Sequence, residues 1–167
     1  MRHLNKTILI WMSVAIISPA ISATPTSNIY STSFAILSYA KWQSPVPKIC
    51  VVNNANFAQQ LKKHVPPKTT YKISNIQSHE IQSSDCSALF FSNLSDKEEQ
   101  LLLNTTVRFP ALSLSTNNSN CETGSAFCLY KKDTNYSFKV NMESLTQSQI
   151  HIDPRVLLLA KKAESNQ

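Results

Sequence analysis

The chain reads as one α/β domain: a mostly parallel sheet with helices on both faces and an antiparallel hairpin at one edge. Two observations point there. Apolar runs of strand length alternate with helical patterns through the first two-thirds of the chain, as βαβ units require. Phe127–Val140 then holds two strand-like runs separated only by a short polar stretch, the mark of a hairpin. A third observation limits what such a sheet can hold. The 167 residues contain a single glycine. The dinucleotide fingerprint, the phosphate-cradling P-loop and the strained nucleophile elbow each need at least two, so none can be built.

The first residues read as an address. Arg2 and Lys6 precede the apolar run Thr7–Ile17, and Ser18-Pro19-Ala20-Ile21-Ser22-Ala23 follows with small residues. A charged start, a short apolar core and a small-residue exit make a secretory signal peptide over residues 1–23. Cleavage is expected after Ala23, with Ala20 and Ser22 as competitors; residues 24–167 then form the domain. A membrane-spanning helix would need about 20 apolar residues, roughly twice this run.

Ser33–Trp42 (SFAILSYAKW) carries apolar residues at helical spacing and stops before Pro45 and Pro47. Ile49–Val52 (ICVV) is a continuous apolar run, suited to a strand covered on both faces. Asn54 or Asn56 can cap the next helix, where Phe57 and Leu61 share a face and Pro66-Pro67 ends the pattern. Tyr71–Ile76 alternates and predicts a half-covered strand; Ser87–Phe91 (SALFF) predicts a buried one. Ser95-Asp96-Lys97-Glu98 is a capping box ahead of Leu101, Leu102 and Leu103. Ala111–Ser115, Phe127–Tyr130 and Tyr136–Val140 complete the strands. Asp153-Pro154 sets a cap and a first-turn proline before Arg155–Ala160, with Lys161 and Lys162 complementing the helix end. The Leu157-Leu158-Leu159 run is too apolar for a lone surface helix, and packing on the sheet is the favoured reading over a shared dimer face. Trp42 reads as core rather than as a partner anchor.

All four cysteines lie beyond the address segment, and an even count in an exported chain reads as two disulfides. Cys50 opens the first strand and Cys86 immediately precedes the third. Those strands are commonly neighbours in a doubly wound sheet, which puts their starts about 5 Å apart, within disulfide reach. Cys121 and Cys128 bracket Glu122–Phe127 and the lone Gly124, the residue that takes a left-handed turn cheaply. The pairing expected is Cys50–Cys86 and Cys121–Cys128, and chain entropy values the two at about 3.8 and about 2.5 kcal/mol.

Other chemistry finds little support. Without Arg2 and Lys6 the chain keeps fourteen Lys and Arg against ten Asp and Glu, a mild excess in scattered pairs without aromatic interleaving, so no nucleic-acid footprint is expected. His64, His79 and His151 stand alone, outside zinc spacing, and no C-x-x-C redox motif exists. With 23 serines, a Ser and a His in one chain carry no catalytic signal. Asp85 with Glu80, and Asp96 with Glu98 and Glu99, read as caps and solvated helix faces. The triplets at Asn93, Asn104, Asn117 and Asn135 are expected by chance in a chain rich in Asn and Ser. No catalytic, metal or cofactor-binding residue is assigned.

One resemblance remains. Phe34–Trp42 followed by Pro45, the strand Ile49-Cys50-Val51-Val52, and Cys86 leading into Leu89-Phe90-Phe91 resemble the YfiR family. The most specific stretch runs from Cys121 to Lys162. It holds Gly124-Ser125-Ala126-Phe127-Cys128-Leu129, Phe138-Lys139-Val140-Asn141, Ser144-Leu145 and Ile152-Asp153-Pro154-Arg155-Val156-Leu157-Leu158-Leu159-Ala160-Lys161. Among relatives the chain looks closest to the enterobacterial form, although it has no further glycines near Gly124. The resemblance implies a non-enzymatic periplasmic protein without cofactor, and two disulfides at matching positions. It implies repression of an inner-membrane diguanylate cyclase through its periplasmic portion, with less cyclic di-GMP, less biofilm and more motility. It further implies sequestration by an OmpA-like outer-membrane lipoprotein, and a homodimer. A second, unrelated reading is a periplasmic sensor that holds a small apolar molecule between sheet and helix.

Overall fold

The computed structural model describes residues 27–165; the proposed signal peptide lies outside the described residues. The elements follow in the order α1 (Ile29–Leu37), β1 (Lys48–Val52), α2 (Ala55–Lys63), β2 (Lys72–Ile76), a 3-10 turn (Ser78–Ser83), β3 (Ala88–Phe91) and α3 (Asp96–Thr105). Then come β4 (Leu112–Ser115), β5 (Phe127–Lys132), β6 (Asn135–Val140), α4 (Met142–Gln147) and α5 (Val156–Ser165). The six strands form one sheet in the order β2-β1-β3-β4-β5-β6. All pairings are parallel except β5–β6, so the mostly parallel α/β architecture with an antiparallel edge hairpin is the observed fold.

Each strand's alternation feeds two apolar layers. From β1, Ile49 and Val51 enter a core shared with α1 and α2, through Phe34, Leu37 and Leu61; Val156 of α5 joins it. Cys50 and Val52 point the other way, toward Ile81 of the 3-10 turn and Leu103 of α3. A strand buried on both faces favours apolar residues on each, which is why β1 and β3 read as apolar runs; β4, equally buried, alternates leucine with Ser113 and Ser115.

The first helix lies about four residues earlier than its apolar spacing suggests. Asn28 caps it, accepting from the Tyr30 and Ser31 N–H groups at 3.0 and 2.9 Å. The predicted last turn is lost to a distant competitor. After a turn at Ser38–Tyr39, Ala40 bridges Ile152, Lys41 N–H donates to His151 C=O, and Asp153 N–H donates to Tyr39 C=O, so the chain leaves the helical path there. Of the two candidate caps for α2, Asn54 takes the role, its side chain accepting from Phe57 N–H at 2.9 Å. The Ser95 capping box forms, with Glu98 accepting the Ser95 N–H at 2.8 Å. The 3-10 turn and α4 were not expected from sequence; α4 is capped by Asn141, which accepts from Ser144 N–H. The hairpin is tighter than expected, its strands running to Lys132 and from Asn135, with Asp133 left-handed at φ 52°.

Candidate functional site

In parallel sheets of this kind ligands usually sit outside the carboxyl ends of the strands, at the point where strand order reverses. Here that point lies between β1 and β3, and carboxamides fill it. The Asn54 amide donates to Ser92 Oγ (2.9 Å) and Asn93 Oδ1 (3.1 Å). The Asn93 amide donates to the Asn53 carbonyl, and Asn53 exchanges hydrogen bonds with Ser78. The helix starts beyond β1 and β3 are occupied by the chain's own Asn54 and Ser95 caps, and neither loop has a glycine to admit a phosphate.

A cleft opens at the other, amino end of the sheet. It has a volume of about 290 Å³ and lies between the segments that enter β1, β3 and β4. Trp42, Leu89 and Phe109 form apolar lining, Cys86 contributes to it, and Asp85 and Arg108 bring one charge of each sign. Asp85 is left-handed, at φ 46°. Trp42 is half-buried and packs against the core, so it serves as lining rather than as an exposed anchor. Its indole N–H lies near the Tyr71 hydroxyl without hydrogen-bond geometry; burial pushes the Tyr71 pKa up and this neighbour partly offsets the rise.

Cys50 and Cys86 are bridged, with Cα atoms 5.8 Å apart. The bond ties the middle of β1 to the entry of β3, inside the α3-side core. Cys121 and Cys128 are bridged at a Cα distance of 5.6 Å, closing a ring at the start of β5. That ring is held by more than its sulfurs. Cys121, left-handed at φ 63°, donates its N–H to Asn118 Oδ1, and the Asn141 amide donates to Glu122 C=O. Gly124 donates its N–H to Gln100 Oε1 at 2.8 Å and accepts from Ser144 Oγ at 2.6 Å.

At the centre of this network lies Glu99, and here the sequence reading needs correction. It is not on a solvated helix face; it is fully buried between α3 and the ring. Its carboxylate accepts from Ser115 Oγ (2.5 Å), Ser125 Oγ (2.9 Å) and Ser125 N–H (3.2 Å). Desolvation pushes its pKa up, and the serine hydrogen bonds oppose the rise. Gly124 approaches so closely that a Cβ there would lie 2.8 Å from Glu99 Oε2.

Glu80, Glu98 and Asp153 hold nearby backbone N–H groups, whereas Asp85 lines the cleft. Glu80 accepts the Gln77 N–H, and the Ser95 backbone and hydroxyl groups hold exposed Glu98 below the usual range. Asp153 is lowered to about 2 by its hydrogen bonds to Arg155. His64 stacks on Tyr30 at 4.4 Å, and among the described residues no cluster of three or more His, Cys, Asp or Glu could hold a metal ion. In α5, Val156 is buried and Leu159 packs on the core, whereas Leu157 and Leu158 are exposed.

The described residues thus present a cross-linked scaffold with a filled switch-point crevice and a modest cleft at the amino end of the sheet. Residues 30–161 match the YfiR/HmsC-like family, so the chain belongs to that family of periplasmic regulators of diguanylate cyclases.

Proposed function

We propose that this protein is a repressor: in the periplasm it engages the periplasmic portion of an inner-membrane diguanylate cyclase and holds the enzyme inactive. Cyclic di-GMP then stays low, biofilm formation is restrained and motility is favoured. The observation that carries this reading is the family match across residues 30–161, in a family that regulates rather than catalyses. A repressor must bind the inactive state of its target more tightly than the active one, since only differential affinity shifts a conformational equilibrium. On the same reading residues 1–23 export the chain, both disulfides form on arrival, an OmpA-like lipoprotein sequesters the repressor, and the protein works as a homodimer. Deleting the gene should raise cyclic di-GMP and reduce motility, and deleting the cyclase as well should restore both. An unchanged nucleotide level, in cells shown to express the cyclase, would overturn the proposal.

The cleft beside Trp42 favours a second reading, a sensor for a small ligand. Its volume of about 290 Å³ reaches only the lower end of the usual ligand-site range. Native mass spectrometry of protein purified from the periplasm would detect a retained small molecule; only the bare chain mass would set this reading aside.

A further inference from the structure

The two edges of the sheet are treated very differently. At β6 the outward Tyr136 N–H donates to the Ser27 carbonyl, its own carbonyl accepts from the Ser27 hydroxyl, and α5 packs against the strand. At β2 nothing comparable occurs. Lys72 N–H donates to Pro47 C=O, and Ile76 C=O accepts from Asn53 N–H, so Lys72, Ser74 and Ile76 turn their backbone groups toward β1. The N–H and C=O of Ile73 and Asn75 therefore face outward. Among the described residues neither group has a partner. They offer two donors and two acceptors in strand geometry.

The charge around this edge is equally lopsided. From Asn53 to His79, which spans α2, its connection and β2, there are four lysines and two histidines and not one carboxylate. Lys62, Lys63, Lys68 and Lys72 are all exposed. Elsewhere beyond Ala23 the charges balance, ten basic against ten acidic, so the whole net charge of the domain sits in this unit. Lys72 stands on the edge strand itself, with Lys62 and Lys63 on α2, which packs on β2, and Lys68 in the connection between them. Lysine at an open edge repels a second copy of the same chain, as natural sheets require. It attracts a strand of opposite charge.

We propose that the β2 edge is a docking site for an extended, carboxylate-rich segment of a partner protein, which pairs its backbone with Ile73 and Asn75 and sets its acidic side chains among the four lysines. This is strand addition, in which main-chain hydrogen bonds supply adhesion and flanking side chains supply selectivity. Opposite charge also speeds encounter and makes the association salt-sensitive.

The inference is tested without the cyclase, using a fluorescein-labelled peptide of about ten residues in which glutamate alternates with threonine or valine. Anisotropy should report binding to the mature protein, roughly tenfold weaker or more once salt shortens the screening length to a few ångströms. Hydrogen exchange should slow at the Ile73 and Asn75 amides and not at β6. Asn75→Pro removes an outward N–H that serves no ladder bond, a position where edge strands tolerate proline. It should abolish binding while the thermal transition persists, and Asn75→Ala should bind like the parent. Lys62→Glu with Lys72→Glu should lose the peptide; Lys131→Glu with Lys139→Glu should keep it. Failure of the peptide to bind overturns the proposal. So does binding that survives Asn75→Pro, or attachment to phosphatidylglycerol vesicles that ignores Asn75→Pro, since either makes this a charged surface and not a pairing edge.

Discussion

Replacing each disulfide by an alanine pair should separate their contributions sharply. Cys50–Cys86 spans 36 positions and encloses α2, β2 and the 3-10 turn, whereas Cys121–Cys128 spans only 7. Loop-closure entropy then values the first at about 3.8 kcal/mol and the second at about 2.5. The native state widens the gap. Cys50 is fully buried in the α3-side core, so truncation there also leaves a small void. The short ring keeps its hydrogen bonds through Asn118, Asn141, Ser144 and Gln100 after its sulfurs go. For a chain of this size each kcal/mol moves the midpoint by about 3–4 °C. Calorimetry should therefore show a fall of roughly 12 °C or more for Cys50→Ala, Cys86→Ala, and roughly 8 °C or less for Cys121→Ala, Cys128→Ala. In the periplasm the first variant should be degraded and its cyclase released, because losing about 4 kcal/mol removes much of a typical net stability. Equal midpoints, or a larger loss at the short ring, would show that loop length and burial do not rank the two bridges. A non-reduced digest dominated by a Cys50–Cys121 peptide would overturn the pairing itself.

Three further outcomes follow from the geometry around Glu99 and Ser95. Because burial raises the Glu99 pKa above its usual 4.5, the folded state holds a proton that the unfolded chain has released, so this group adds stability as pH falls from neutral toward 4.5. Urea titrations from neutral to mildly acidic pH should show that gain in the parent and not in Glu99→Gln; parallel profiles would exclude Glu99 as the source. Below that range the opposite sign takes over, as Asp153 loses its Arg155 bonds near its value of about 2. Gly124→Ala should cost roughly 2 kcal/mol or more, because φ is 91° and the new Cβ meets the Glu99 carboxylate at 2.8 Å; an unchanged urea midpoint would contradict this. Ser95→Ala should cost about 1 kcal/mol through loss of the capping box, read in the same titration, whereas Ser95→Asp should recover most of it.

β1, β3 and the start of β5 were legible because burial on both faces leaves a trace in one dimension: ICVV, ALFF and FCL are apolar without interruption, while β2 was read from its alternation. What failed was decided by distant residues. The end of α1 depends on Ile152, more than a hundred positions away, and no local propensity announces that bridge. With six mostly polar residues, α4 gives periodicity nothing to detect, although Asn141 three residues before Ser144 is a cap signature. Glu99 immediately follows the four residues of an obvious capping box, so its charge reads as first-turn polarity. Only the fold brings Ser115 and Ser125 to it. The one hint was Ser113 and Ser115 inside a strand buried throughout, since buried hydroxyls need partners. The amino-end cleft has no sequence signature, being assembled from loops far apart in the chain.

The order of the cysteines carries a consequence for how the protein matures. On the proposed export by residues 1–23, the chain enters the periplasm as an unfolded thread, amino end leading. Cys50 emerges first and the next thiol to appear is its native partner, Cys86; the third to appear, Cys121, is followed seven residues later by its own. Bridges made strictly in order of arrival are therefore the native ones. An oxidase acting on the emerging chain gives the right covalent structure directly, and thiol reshuffling, with the minutes to hours it costs without catalysis, drops out of the pathway. The regulator's first appearance in the envelope then keeps pace with synthesis and oxidation alone.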